Sequence, residues 1–440
     1  MKIPSVLRAL RIGLLILTTL TTLVILFYTE ENWRGRHAWE VEKSQLLASG
    51  LSLDPALLAV RSIPMERNFM AAEPLISLAK EDAPGQARLW RSAFCGPAAS
   101  IAALSFNNAW EKVFFGLHSA AQALADRGGI RGSSDRAAVE EALRRLAQMR
   151  PSPRSIRALA RARDQSQFLS AGIDVNFGHL FALSQATAGE AELELAAGNP
   201  AEALGDARIL MRLIQADESG RTMLSGLIGL AEEGELIRVF SAGERMGSWT
   251  DDQLREFARF FGDLDEAALM EQALRFTEVR RFTTPLDRSA FGPQRGWNRF
   301  QPTGWLIAGA VGTDRDYRDT LSDFDHNGHR FDLAQAQEQL EAARQEHRPH
   351  TVGSLAAAAL SQPPVGAVGT IVAALELYRR AQGAFPSRLE DLVPRYLPRL
   401  PASAITGQPP VYAAPDRDHF RLSSAGWRPG AKPPEWAWNP

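Results

Sequence analysis

Asp323, Asp325 and Asn327 alternate ahead of Gly328 in the run Asp323-Phe324-Asp325-His326-Asn327-Gly328. This is the opening half of a calcium loop, in which alternate oxygens let the backbone wrap the ion and the glycine makes the sharp turn. The second half is missing. Ala334 stands where a loop of about twelve residues needs its bidentate acid, and Arg330 stands where an apolar residue belongs. Asp332 is better placed to cap a helix opening at Leu333. Asp323, Asp325 and Asn327 are therefore the only metal candidates retained, and a plain Asp/Asn/Gly turn is the favoured reading. His326 with His329, and His347 with His350, have the spacing of zinc-ligand pairs, but no third ligand joins either pair.

Other chemistry lacks its residues. The sequence contains no G-x-S-x-G elbow, no H-E-x-x-H and no P-loop. Glu190, Glu192 and Glu194 recur too regularly along one helix for a glycosidase pair, whose members face each other across a sugar. The single cysteine, Cys95, rules out an intrachain disulfide framework and a cysteine-rich metal site. No catalytic residue and no cofactor other than calcium is assigned.

The elements that would position any site begin with an anchor. Ile12 to Tyr28 (IGLLILTTLTTLVILFY) runs 17 residues without a charge, a proline or an amide. That is the lower end of what crosses a hydrocarbon core of ~30 Å. Lys2, Arg8 and Arg11 precede it, and Glu30 and Glu31 follow. The positive-inside rule puts the N-terminus in the cytoplasm and the bulk outside, in a single pass through a bacterial cytoplasmic membrane. A cleaved signal peptide would need small residues after the apolar core, and Phe27-Tyr28-Thr29-Glu30-Glu31-Asn32-Trp33 offers none. Thr18, Thr19, Thr21 and Thr22 suit bonds back to their own helix carbonyls.

The 440 residues suffice for two or three domains, and 45% hydrophobic with 23% charged is ordinary globular composition. Net charge is -2, with 44 Arg against 5 Lys. Nothing in this balance, and nothing in an extracytoplasmic location, points to nucleic acid. The arginine- and aromatic-rich stretch 283–304 has Phe291, Arg295, Trp297, Arg299, Phe300 and Trp305 in or beside it. Such pairing suits a glycan or an anionic headgroup, but buried aromatics and Arg–carboxylate pairs holding a loop to a helical body are the favoured reading.

Helix signals dominate the middle. Thr250 and Gln253 form a capping box, with Trp249 and Leu254 as its hydrophobic staple. Leu254, Phe257, Ala258 and Phe261 then lie on one helical face. A helix stops at Gly198. Asn199 caps the next, with Pro200 at its first position and Glu202 three residues after the cap. Residues 179–215 thus read as a helical hairpin. Further helices are expected near Asp135–Met149, Leu224–Phe240 and Leu333–Glu346, and loops near 125–134 and 150–154.

A boundary is expected at Pro363-Pro364. Beyond it, Ile371, Ala374, Leu375 and Tyr378 mark a helix stopped by Gly383. Ser387 and Glu390 suggest a capping box opening a short helix. Val411–Ala413 and His419–Ser423 suit a hairpin. The run Ala374-Leu375-Glu376-Leu377-Tyr378-Arg379-Arg380-Ala381-Gln382-Gly383-Ala384-Phe385-Pro386, with Leu389, Asp391-Leu392-Val393-Pro394, Gly407-Gln408-Pro409, Tyr412 and Phe420 to Trp427, resembles the C-terminal part of type II secretion pseudopilins. About 65 residues carry that resemblance. A pseudopilin has a processing signal on an apolar helix that leads directly into this module; here the anchor lacks the signal and lies far upstream. Asn32-Trp33-Arg34-Gly35-Arg36, Trp39-Glu40, Pro64, Asn68-Phe69 and Pro74 are similar to uncharacterised single-pass bacterial envelope proteins. These resemblances imply a location and an architecture, with secretion or envelope assembly as the setting.

The chain is therefore expected to be mainly α: an N-terminal transmembrane helix (1–30), an irregular multi-helix extracytoplasmic body (31–362) and a small α+β module (363–440) packed on that body. The expected function is a non-catalytic, membrane-anchored envelope protein that binds a protein partner. An extracytoplasmic hydrolase with a site assembled from distant residues is the alternative.

Overall fold

The computed structural model describes residues 3–48, 63–79, 133–168, 175–283, 300–325, 329–346, 350–360, 364–417, 419–423 and 435–438. Cys95, Asn327, Trp427 and most of the arginine- and aromatic-rich stretch lie outside them. In chain order the helices are α1 (Ile3–Ala48), α2 (Glu73–Ala79), α3 (Ser133–Leu146), α4 (Pro153–Ala162), α5 (Phe177–Ala196), α6 (Pro200–Gly220) and α7 (Met223–Arg245). They continue with α8 (Asp251–Asp263), α9 (Glu266–Thr283), α10 (Thr303–Leu321), α11 (Leu333–Gln345), α12 (Thr351–Leu360) and α13 (Val365–Gln382). Strands β1 (Val411–Ala413), β2 (Phe420–Ser423) and β3 (Glu435–Trp438) follow. The mainly helical class with an apolar first helix and a small C-terminal sheet is as expected.

The chain forms two compact units: Met1–Leu58 with Glu278–Asp323 and Ala334–Leu355, and Ala59–Thr277 with Phe324–Leu333 and Ala356–Pro440. These divide the chain differently from the expected 1–30, 31–362 and 363–440. In the first unit α1 does not end with its apolar stretch but continues to Ala48. The window from Leu10 is apolar enough to cross a membrane, with a mean hydropathy of 2.2, and none of it is buried. The four threonines bond back to carbonyls four residues earlier, as Thr18 Oγ1 does to Leu14 O at 2.7 Å. Below Tyr28, α1 changes character. Trp39 and Leu46 are buried with Phe282, Ile307 and Val311 in a small core, and Trp39 stacks on Phe282 at 4.3 Å.

In the second unit α5, α6 and α7 fold back on one another. Gly198, at φ +82°, makes the left-handed turn between α5 and α6, a backbone conformation that costs little without a Cβ. Asn199 occupies the cap position of α6, but its side chain makes no capping bond. Its Nδ2 donates to Glu194 at 2.9 Å, a charge-assisted bond. The Thr222–Ser225 and Thr250–Gln253 capping boxes both form. Asn68 closes a further loop: its Oδ1 accepts from Met70 N and Gln167 N, and its Nδ2 donates to Gln167 O at 2.9 Å. Pro153 and Ser133, expected in loops, instead open α4 and α3.

The residues after 363 share one core with this unit. Ile371, Val372 and Leu375 of α13 pack with Phe240, Phe257 and Phe261 of α7 and α8 and with Phe420 and Leu422 of β2. Gly369 lets the Phe261 ring lie against the α13 backbone. The stretch Thr351–Gln382 is also long and apolar enough to span a membrane, yet 60% of its most apolar window is buried, as in the core helix of a globular body. Gly383 ends α13 at φ +78°. The Ser387 box does not form. Residues Leu389–Leu392 make a 3-10 turn, and Ser387 Oγ reaches Asp391 at 3.4 Å. The sheet has order β1-β2-β3, all antiparallel; β3 is an addition, since its Glu-Trp-Ala-Trp run is too short to stand out in sequence. Tyr378 is only half-buried, packed against Tyr396 at 5.5 Å.

Candidate functional site

The chain on either side of residues 326–328 pairs. Asp325 N donates to Arg330 O at 3.0 Å, and Asp325 Oδ1 accepts the His329 amide at 3.0 Å. Phe324 and Phe331 pair across the base with ring centroids 5.0 Å apart. The carboxylate that a cation would use thus serves backbone amides, and His329 Nδ1 lies 2.5 Å from Asp265. Among the described residues, no three His, Cys, Asp or Glu side chains are arranged to hold a metal ion. Millimolar calcium is expected to leave thermal unfolding unchanged, whereas Asp325→Ala should cost about 1 kcal/mol through the lost turn bonds. A calcium-dependent rise in melting temperature that Asp325→Ala abolishes would refute this.

Three buried charge clusters were not anticipated as such. In the first, Arg157 on α4 enters between α5 and α6. Its Nε lies 2.5 Å and its Nη2 2.6 Å from the two Asp206 oxygens, a bidentate fork. The same guanidinium bonds Glu190 at 2.8 Å and pairs with Glu202, and Arg154 bonds Glu194 at 2.8 Å. Gly205 leaves room for the Arg157 stem, since a Cβ there would lie 3.2 Å from its Cδ. Burial is the largest influence on Glu190 and pushes it up to about 7; burial likewise drives Asp206 upward against the pull of Arg157. Glu192 points away and bonds Arg238 at 2.8 Å. The regular Glu190, Glu192, Glu194 spacing therefore serves two helix interfaces.

The second cluster is acidic. Asp217 of α6 and Glu232 of α7 are buried side by side, and burial pushes Asp217 up to about 8 and raises Glu232 well above the usual carboxylate range. In the first unit Glu278 is buried with no hydrogen-bond partner among the described residues. Burial, with Asp314 as the next influence, raises it to about 9. These acids are near 4 when unfolded, so between that pH and their folded values the native state holds protons that the unfolded chain has lost. Stability is then complete at low pH and falls as pH rises, by at most about 1.4 kcal/mol per pH unit per group. Unfolding between pH 5 and 9 should show this slope, and Glu278→Gln should flatten it near pH 8; a slope of opposite sign would contradict the assignment.

The third cluster joins α1 to α10. Gly35 and Gly304 meet backbone to backbone, where a Cβ on either would collide. Asn32 Oδ1 accepts the Gly304 amide at 2.8 Å, and Trp305 Nε1 donates to Glu31 at 2.8 Å. Further along, buried Glu42 pairs with Arg318 and lies 3.4 Å from Arg315, and Arg318 also bonds Gln45 at 2.7 Å. Residues 31, 42 and 45 thus face 305, 315 and 318, so the two helices run parallel. Behind this face, Arg281 pairs with Asp314 at 2.7 Å and covers the Tyr317 ring. Asp316 accepts the Val352 amide at 2.8 Å and the Gly353 amide at 3.2 Å, and it lies 2.8 Å from His350 Nδ1. A carboxylate from α10 therefore caps the start of α12.

Some of this was readable. Asp206, Leu210, Ile214 and Asp217 recur at helical spacing, so two acids lie on an apolar stripe, a sign of core-facing charge. Nothing local marks Arg157 as their partner. This chain matches no protein-family model, no curated protein and no solved structure.

Proposed function

We propose that this chain is a membrane-tethered helical scaffold. Residues 12–28 cross a bacterial cytoplasmic membrane once, the N-terminus lies in the cytoplasm, and the bulk sits outside as a non-catalytic body that engages a protein partner in secretion or envelope assembly. One observation carries the reading: α1 is a single helix from Ile3 to Ala48 whose first part exposes an apolar stretch and whose second part is built into a core. The bonds from Glu31 and Asn32 start directly below that stretch, which supports an anchor retained as part of the fold. A reporter enzyme active only outside the cytoplasm, fused after Pro440, is expected to be active. Activity only from a cytoplasm-restricted reporter would overturn the orientation.

A second reading, the extracytoplasmic hydrolase, is favoured by the buried His350–Asp316 pair. The scaffold is preferred because Asp316 already serves two backbone amides. The His350 ring also faces main chain: a Cβ on Gly353 would fall 2.5 Å from its Nε2.

A further inference from the structure

We infer that the first unit meets the bilayer at two places, through α1 and through an aromatic collar at the start of α10 that rests in the lipid headgroup layer. Phe300 and Trp305 remain 52% and 47% exposed, and Phe27 of α1 remains 45% exposed. They are held at one level. Phe27 meets Trp305 edge to face at 6.0 Å, the Tyr28 hydroxyl donates to the Phe300 carbonyl, and Glu31 fixes the Trp305 indole.

That level follows from helix geometry. Phe300 is abreast of Tyr28, the last residue of the apolar stretch. Trp305 is abreast of Glu31, about three residues and so ~4.5 Å farther on. A headgroup layer is roughly 5–7 Å deep on each face. Tryptophan and tyrosine favour this depth because the ring is apolar while its N–H or O–H is satisfied. Rings exposed in a cluster beside water would need a partner. Here the cluster continues the apolar surface of residues 12–28 without a break, so the occupant is the lipid of the same bilayer. The inference rests on the proposal that residues 12–28 span a membrane.

Site-directed spin labels in lipid nanodiscs test it. In full-length protein carrying Cys95→Ala, single labels are placed through Leu17→Cys, Phe300→Cys, Trp305→Cys and Leu355→Cys. Each collar variant keeps the other rings. Leu355 follows the Asp316 cap of α12, and Asp316 is abreast of the Glu42 turn, ~20 Å beyond Tyr28. Collisions with oxygen report lipid and collisions with an aqueous nickel chelate report water. The expected result is an oxygen-dominated label at 17, an aqueous one at 355, and intermediate labels at 300 and 305 with several-fold less nickel access than 355. Labels at 300 and 305 as aqueous as 355, or shielded from both reagents, overturn the collar while a lipid-embedded 17 preserves the span. An aqueous 17 overturns the span and the collar with it.

Discussion

Arg157→Met is expected to cost roughly 3–5 kcal/mol of stability at neutral pH, the range for removing one partner of a buried ion pair. Methionine replaces the aliphatic stem but leaves Asp206, Glu190 and Glu194 around an apolar end. Both Asp206 oxygens lose their donors at once. The loss should shrink on acidification, because protonating Glu190 and Asp206 removes the uncompensated charge. Burial already raises both groups, and removing Arg157, which pulls them down, raises them further, so the recovery should follow falling pH. Adding Asp206→Leu to Arg157→Met should restore part of the stability, since a buried pair replaced as a whole by apolar groups is often neutral. Chemical denaturation of the three variants at two pH values checks this. A single-mutant cost under about 1 kcal/mol would mean that Arg157 is not the hub of its interface.

The double substitution Leu17→Arg/Leu20→Arg should release the chain from the membrane. Each arginine near the centre of a span costs about 2.5–3.5 kcal/mol of insertion, so together they weaken it by roughly 5–7 kcal/mol. A span at the short end of the usual range has no spare apolar length to compensate. Both side chains are exposed, so the substitutions leave the protein's cores intact. The variant is expected in the soluble fraction or degraded, while Leu355→Arg, at an exposed site outside the span, stays with the membrane.

Local signals in the sequence located most helices. Caps and stops at Thr250, Gly198 and Gly383 are decided by neighbours in the chain, and the structure realises them. Asn199 and Ser387 fail for a shared reason: each has an alternative bond, to Glu194 and Asp391, that local spacing does not rank. The extension of α1 past Tyr28 was hidden because Glu30, Glu31 and Asn32 end an apolar run without ending a helix. What stayed invisible was pairing at long range. Arg157 with Asp206, Glu42 with Arg318 and Asp316 with His350 are ordinary exposed residue types until the fold brings them together. The collar residues Phe300 and Trp305 were noted as part of an aromatic run, but their level beside Tyr28 depends on the parallel crossing at Gly35 and Gly304.

Residues 12–28 are expected to remain part of the working protein as its membrane tether. Alkaline carbonate washing of membranes from cells producing the full chain, followed by intact-mass measurement of each fraction, tests it most directly. The chain is expected in the washed pellet at 48.3 kDa. A chain shortened to begin near residue 30 and recovered in the supernatant would contradict it.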